Sequence, residues 1–417
     1  MKNIYMTITM DSRVRDLLRL GVLEHLLEDP DIKIVLLTPA SKDQAFLKEF
    51  SRDRVVIRHS EEFVLTRLQK AIITTRWALK YEWMVKLWTI LERFFMPNSI
   101  YDNLFKELPP NLIVLSDTNK EREIPIYLNS KKNGIKTLGL IRSWDNILKR
   151  LYCRVDALAV PNEINKLEAI DLELYRDSQI EVVGTPQFDP YFDPSVILDR
   201  DEYLTGLGLD PSKKLILLAT AGAKLQNVQT NWLDILLHAQ ENGDFPVDTQ
   251  ICCRNHPGDS LGPFLDPKYT DRNGLYMDMP RRWLGSLGWS MTREDVNGVA
   301  NLLYHADVVV TPASTMGIEA AIFDTPTLIV GFNEVLPEIT DDILHDSTFI
   351  KHFKPILEQQ LIPVTHNRKE LISQICLYLN DPTLFTDQRE ILVEKWINPS
   401  DGNSKQRIAN LILQMAQ

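Results

Sequence analysis

Ala306 to Ala321 holds the densest usable chemistry in this chain: the apolar run Val308-Val309-Val310 ends at Thr311, and Ser314 and Thr315 follow where a helix should begin. Hydroxyls and unpaired backbone N–H groups at a helix start can hold a phosphate. Glu319 falls one turn beyond Thr315 on the same helix face, from where a carboxylate can accept the two hydroxyl protons of a ribose. The plainer alternative makes Ser314 an N-cap and Glu319 a surface charge. A second candidate is Arg254-Asn255-His256-Pro257, which closes the run Thr249 to Arg254. The Arg254 guanidinium offers the bidentate charge that a diphosphate leaving group needs, and His256 stands beside it. A lone histidine in such a place also serves structure alone. In Thr220-Ala221-Gly222-Ala223, Gly222 permits close backbone approach to the same group, or serves only the turn.

The first half offers acids and hydroxyls instead. Thr9 to Arg13 carries Asp11 and Arg13, Ser116-Asp117-Thr118 carries Asp117, and Arg142 to Asn146 carries Trp144, Asp145 and Asn146. Arg13, Asp117, Trp144 and Asn146 are candidate contacts for an acceptor. Asp145 and Asp11 are carboxylates at strand ends, and a carboxylate can take a proton from a hydroxyl within hydrogen-bond reach. The alternative for Asp145 is to cap a helix beginning near Ile147.

All these loops share one kind of position, the carboxyl end of a β-rich run. The runs are Asn3 to Ile8, Lys33 to Thr38, Arg54 to Arg58, Leu112 to Ser116, Thr137 to Ile141, Ala157 to Val160 and Glu181 to Val183, then Lys214 to Thr220, Thr249 to Arg254, Leu275 to Asp278, Val308 to Thr311 and Thr327 to Gly331. Amphipathic helical segments alternate with them, the pattern of parallel sheets covered on both faces. In such sheets ligands sit outside the carboxyl ends of the strands. The expected fold is therefore α/β, with two doubly wound, Rossmann-like parallel-sheet domains facing a cleft and a C-terminal helical tail. Thr185 to Ser195 contains three prolines, which interrupt helix and central strand alike, and reads as the hinge. The expected division is 1–190, 191–380, and helices in 381–417 that pack back on the first domain.

The bulk numbers agree with a two-domain folded protein and exclude other classes. A chain of 417 residues exceeds one typical core, and 44% hydrophobic with 25% charged residues is ordinary for a folded protein. A net charge of -11 argues against broad nucleic-acid binding, which needs a basic surface. Cys153, Cys252, Cys253 and Cys376 form no Cys-x-x-Cys pair and read as buried thiols of a reducing compartment. The first residues carry no long apolar signal region, and no apolar stretch approaches the roughly 18 to 20 residues of a spanning helix, so a cytoplasmic location is expected. Glu62 to Phe95 breaks the rhythm with a long helical stretch bearing Trp77, Trp83, Trp88, Phe94 and Phe95 among basic residues. It reads as a core helix pair with a basic edge, or as a surface for peripheral contact with the inner face of a membrane. No dinucleotide, P-loop or zincin motif is present. The pairs Asp29/Asp31 and Asp199/Asp201 sit in Pro-flanked or linker-like sequence rather than after a buried strand, so no metal site and no cofactor is expected.

Three of these stretches resemble segments of one superfamily. Ala306 to Ala321 resembles the nucleotide-binding motif of GT-B glycosyltransferases, especially the arm with CDP-glycerol glycerophosphotransferases and capsule-polysaccharide enzymes. Val183-Gly184-Thr185-Pro186-Gln187-Phe188-Asp189 looks like their Gly-x-Pro-x-x-Asp interlobe segment, and Asn255-His256-Pro257 like their His-Pro donor loop. The likeness covers the interlobe segment and most of the second half; the first half matches loosely. Where the glycerophosphotransferases carry Trp-His-Gly, whose His is the presumed base, this chain has Trp144-Asp145-Asn146, so the resemblance implies Asp145, with Asp11 next in line, as the base that deprotonates an acceptor hydroxyl. The resemblance implies a metal-independent transferase that takes a nucleotide-sugar donor and a glycan or lipid-linked acceptor in surface polysaccharide biosynthesis. Three alternatives stand beside it: a UDP-N-acetylglucosamine 2-epimerase-like enzyme, a glycerophosphotransferase, and a non-catalytic nucleotide-sugar-binding scaffold. The epimerases' usual His-Arg-x-Glu-Asn stretch is replaced here by Arg254-Asn255-His256-Pro257.

Overall fold

The computed structural model describes residues 1–96, 99–220, 229–257, 262–280, 286–288, 291–335 and 347–417. The chain divides into two units, Met1–Asp189 with Asp401–Gln417, and Pro190–Arg282 with Met291–Ser400; the short piece 286–288 joins the first.

The first unit is built on seven parallel strands: β1 Lys2–Thr7, β2 Ile32–Thr38, β3 Val55–His59, β4 Leu112–Leu115, β5 Lys136–Leu140, β6 Ala157–Val160 and β7 Ile180–Val182. Their order is β3-β2-β1-β4-β5-β6-β7, with Met6 opposite Leu36 on one side and Val114 on the other. The central strand β4, Leu112–Leu115, is apolar and buried at every position because both faces are covered. Alternation then sorts the side chains of the central strands. Ile4, Met6, Leu112 and Val114 enter one core, shared with Ile408, Ala409 and Ile412 of the C-terminal helix Ser404–Met415. Tyr5, Ile113 and Leu115 enter the other, with Phe105 and Tyr127.

The Gly184 to Asp189 segment is the seat of that C-terminal helix. The Asp189 carboxylate accepts the backbone N–H groups of Ser404 (3.0 Å) and Lys405 (2.9 Å), so a remote acid does the work of an N-cap. Gly184 has φ +83°, and a Cβ there would collide with the Ser404 hydroxyl. The expected 381–417 tail is thus split between the units: residues to Ser400 stay with the second, and only Asp401–Gln417 lies in the first.

The second unit has six parallel strands: β8 Lys214–Ala219, β9 Thr249–Arg254, β10 Leu275–Asp278, β11 Val308–Thr311, β12 Thr327–Val330 and β13 Val364–Thr365, in the order β10-β9-β8-β11-β12-β13. Its core gathers Ile216, Leu218, Val308, Val310 and Leu328 against Trp232 and Tyr378. Strand β13, two residues long behind Pro363, is too short to show a pattern in sequence. Cys153, Cys252 and Cys253 are buried and Cys376 half-buried, and none of the four is in a disulfide.

The long helical stretch from Glu62 to Phe95 forms a pair of helices, Arg67–Arg76 and Glu82–Phe95. The second folds back so that Glu92 meets Arg76 in a buried ion pair at 3.1 Å, and the Arg76 guanidinium also donates to the carbonyls of Leu151 and Tyr152. Leaving that charge unpaired in the core would be costly.

Candidate functional site

Each sheet reverses its winding direction at one pair of strands, β1/β4 in the first unit and β8/β11 in the second, and a doubly wound sheet opens a crevice at such a switch point. In the first unit the loops after β1 and β4 bring Asp11, Ser12 and Arg13 to the same edge as Ser116, Asp117 and Thr118. The Thr7 hydroxyl ties the two strands together: it accepts the Ser116 N–H (2.8 Å) and donates to a Glu123 carboxylate oxygen (2.8 Å).

This edge is buried and polar, with much of its hydrogen-bonding capacity unused. Asp11 Oδ2, Ser12 Oγ, Arg13 Nε, Asp117 Oδ2, Thr118 Oγ1 and Glu123 Oε2 have no hydrogen-bond partner among the described residues. Natural proteins leave few such atoms, and each costs about 1 to 3 kcal/mol when unsatisfied. Their concentration at a switch point fits a site that a polar ligand completes. Donors and acceptors are mixed, as a polyhydroxylated ligand requires.

The electrostatics follow from burial. Burial pushes the Asp11 carboxyl from 3.8 up to about 7, only partly offset by the Arg15 guanidinium. Glu123, fully buried, is pushed from 4.5 up to about 8 despite its bond from Thr7. Burial draws the Arg13 guanidinium down to about 10, against the pull of Asp16 and Asp117; it remains a cation at neutral pH and donates to the Leu140 carbonyl at 2.8 Å. Gly139 on β5 makes room for Thr118, since a Cβ there would come within 2.5 Å of the threonine methyl.

The loop after β5 is arranged differently from expectation. Asp145 is ion-paired to Lys149 and accepts from the Asn146 side-chain amide, and it caps no helix. The turn Ile147–Lys149 starts at Asn146, whose side-chain oxygen accepts the Ser143 N–H at 3.2 Å. The Trp144 carbonyl accepts from Asn165, which also donates to Glu168 at 2.7 Å. Burial raises the Glu168 carboxyl to about 7.

In the second unit the Arg254 guanidinium lies opposite Asp278 in the β9/β10 register and is ion-paired to it. It is therefore a held charge. The His256 N–H donates to the Thr220 hydroxyl at 2.8 Å. Between them Asn255 is fully buried, and neither its side-chain oxygen nor its nitrogen has a hydrogen-bond partner among the described residues. Ser314 starts the helix Thr315–Glu319 with an extended backbone, but its hydroxyl pairs with Thr311 (2.8 Å) and makes no capping bond. Glu319 is not a surface charge. It is 2% exposed, and its carboxylate accepts the Tyr191 hydroxyl at 2.6 Å. Gly222 lies outside the described residues.

The two Asp-x-Asp pairs are local turns: Asp29 accepts the Asp31 N–H, and Asp199 caps the helix Arg200–Gly206. Among the described residues, no helix is long and apolar enough to cross a membrane.

Sequence reasoning missed Glu123, Asn255 and Tyr191. Glu123 stands eight residues past the end of β4 at Leu115, beyond the loop the strand-end rule selects. Asn255 lay inside a quoted motif without a role. Tyr191 falls in the proline-rich stretch, whose composition points only to a hinge.

No family model and no curated protein matches the chain. Solved structures do, over its full length. It covers 100% of itself and 98% of the S. aureus MnaA–UDP co-structure at TM-score 0.60 and 12% identity. It matches the UDP-GlcNAc 2-epimerase from Methanocaldococcus jannaschii at TM-score 0.55 and 15% identity, covering 99% of both chains. It matches the wall teichoic acid polymerase TagF at TM-score 0.55 and 15% identity, covering 100% of this chain and 89% of that one. The chain has the GT-B fold. These neighbours are enzymes of that fold, and at such identities they fix the architecture while the chemistry rests on the residues above.

Proposed function

We propose that this protein is a metal-independent glycosyltransferase that moves a sugar from a nucleotide-sugar to a glycan or lipid-linked acceptor in surface polysaccharide biosynthesis. The observation that carries the proposal is the set of unpartnered buried polar atoms at the β1/β4 switch point, on a fold whose solved examples include nucleotide-binding enzymes. The first unit takes the acceptor, with Arg13, Asp117, Trp144 and Asn146 on that side. The second takes the donor, through Arg254, Asn255, His256, Ser314, Thr315 and Glu319, with Gly222 as a further contact. A lipid-linked acceptor would bring the enzyme to the cytoplasmic face of a membrane.

Asp11 is the better general base. Lys149 already occupies the Asp145 carboxylate in an ion pair. Asp11 has an unpartnered carboxylate oxygen and a proton affinity near neutrality, the range in which general-base catalysis is most effective. It would take the acceptor's hydroxyl proton as the oxygen attacks the donor sugar and the nucleotide departs. His256 and the helix start at Thr315 would stabilise the leaving phosphate.

The test is incubation with a panel of nucleotide-sugars, followed by chromatography of the products. Slow release of free nucleotide supports the transferase. A donor returned with a changed sugar would convert the assignment to an epimerase, and saturable binding without turnover would make the protein a scaffold.

A further inference from the structure

The helix Glu82–Phe95 turns apolar side chains outward. Trp83, Leu87 and Ile90 follow one another at helical spacing and are 65%, 53% and 51% exposed. Val64, Leu68 and Tyr81, on the preceding helix and its flanks, are exposed as well. Isolated exposed apolar residues are ordinary, but a stripe of them rarely stays in water without a use.

The stripe rests on a rigid base. The buried Arg76–Glu92 pair clamps the two helices together, and the Trp88 indole N–H donates to the Ile72 carbonyl at 2.9 Å. Trp77 likewise points inward, to the Leu151 carbonyl. Of the three tryptophans in the pair, Trp83 alone is exposed.

Charge identifies the occupant. The chain as a whole carries -11, yet from Arg67 to Lys86 four cations, Arg67, Lys70, Lys80 and Lys86, are exposed against one half-buried carboxylate, Glu82. Lys86 lies on the stripe itself, one turn from both Trp83 and Ile90, and pairs with Glu82 at 2.9 Å. Glu61 and Glu62 mark the acidic limit of the patch. Tryptophan and tyrosine beside lysine, on an amphipathic helix with a basic margin, form the combination that settles at the headgroup level of an anionic bilayer.

We infer that the helix pair Arg67–Arg76 and Glu82–Phe95 docks on an anionic lipid surface through Trp83, Leu87 and Ile90, with Lys80 and Lys86 against the headgroups. The inference goes beyond the proposed reaction and does not depend on it, because its test contains no nucleotide.

The full chain is sedimented with vesicles of phosphatidylcholine alone or mixed with phosphatidylglycerol. It should pellet with the mixed vesicles, less so in high salt, and stay in the supernatant with the neutral ones. Combining Trp83→Ser, Leu87→Ser and Ile90→Ser should lower the partition coefficient by about tenfold or more. Should that variant fail to fold by circular dichroism, Lys80→Glu with Lys86→Glu changes only exposed side chains and should give the same loss. Wild-type protein remaining in the supernatant with mixed vesicles would overturn the inference, and so would variants that pellet like wild type. Self-association on gel filtration that the serine variant abolishes, without vesicle binding, would make the surface an interface between copies instead.

Discussion

Two carboxylates compete for the role of base, and their neighbours separate them. Asp145 is engaged by Lys149, whereas Asp11 keeps a buried oxygen free. Asp11→Asn should therefore cut turnover by a factor of about 10² to 10⁴ with donor affinity unchanged, and Asp145→Asn should leave turnover near normal. The reverse pattern in steady-state kinetics would return the role to Asp145. Glu319 poses a similar choice in the second unit, since its carboxylate already accepts the Tyr191 hydroxyl. If it also receives a ribose, Glu319→Gln should weaken nucleotide binding by about 1 to 3 kcal/mol, the worth of a charged hydrogen bond. Calorimetry showing unchanged affinity, together with a lower unfolding midpoint, would assign Glu319 to holding Tyr191 in place.

The C-terminal helix Ser404–Met415 depends on a contact 215 residues away in sequence, the Asp189 carboxylate at its first N–H groups. Asp189→Ala should destabilise the first unit by about 1 to 2 kcal/mol, the usual cost of a lost N-cap. Gly184→Ala should cost at least as much, because it combines φ +83° with a collision at Ser404. Urea titrations of both variants check this, and wild-type midpoints would show that the apolar seat of Ile408 and Ile412 suffices. The same elements show what a sequence discloses. Central strands such as Leu112–Leu115 and Val308–Thr311 are legible because burial on both faces leaves an unbroken apolar run. The strand-end rule also found Asp11, Arg13 and Asp117, since it needs only the end of each run. What depends on lateral neighbours was not legible. The Arg254–Asp278 pair follows from the β9/β10 register, and Glu123 joins the edge only because Thr7 on β1 lies beside β4. Nothing in local spacing states which strand lies beside which.

Across the whole molecule the buried acids make stability depend on pH in an unusual direction. Acid groups held by cations, such as Asp401 beside Arg407, bind their protons less tightly when folded, so their contribution is present above about 3.8 and lost in more acid solution. Asp11 and Glu123 act oppositely. Folding raises them to about 7 and about 8, so at intermediate pH the folded chain holds protons that the unfolded chain has released. Their contribution is complete below their ordinary values of 3.8 and 4.5 and is lost as pH rises through 7 and 8. Within that window each group should lower stability by about 1.4 kcal/mol per pH unit. The Asp401 window lies below it, so the two effects do not cancel. Unfolding of the first unit, followed by urea titration at several pH values, should therefore show stability falling from pH 6 to pH 8 and levelling above. Glu123→Gln keeps an oxygen for the Thr7 hydroxyl and has no proton to lose, so its profile should be flatter and cross above wild type near pH 8. The variant also separates site from scaffold. An acid retained only for packing would lose nothing on becoming an amide, whereas a group completing a polar ligand site should lose acceptor affinity while the protein gains stability. A wild-type profile that rises with pH over this interval would mean that water or a ligand already compensates the two carboxylates.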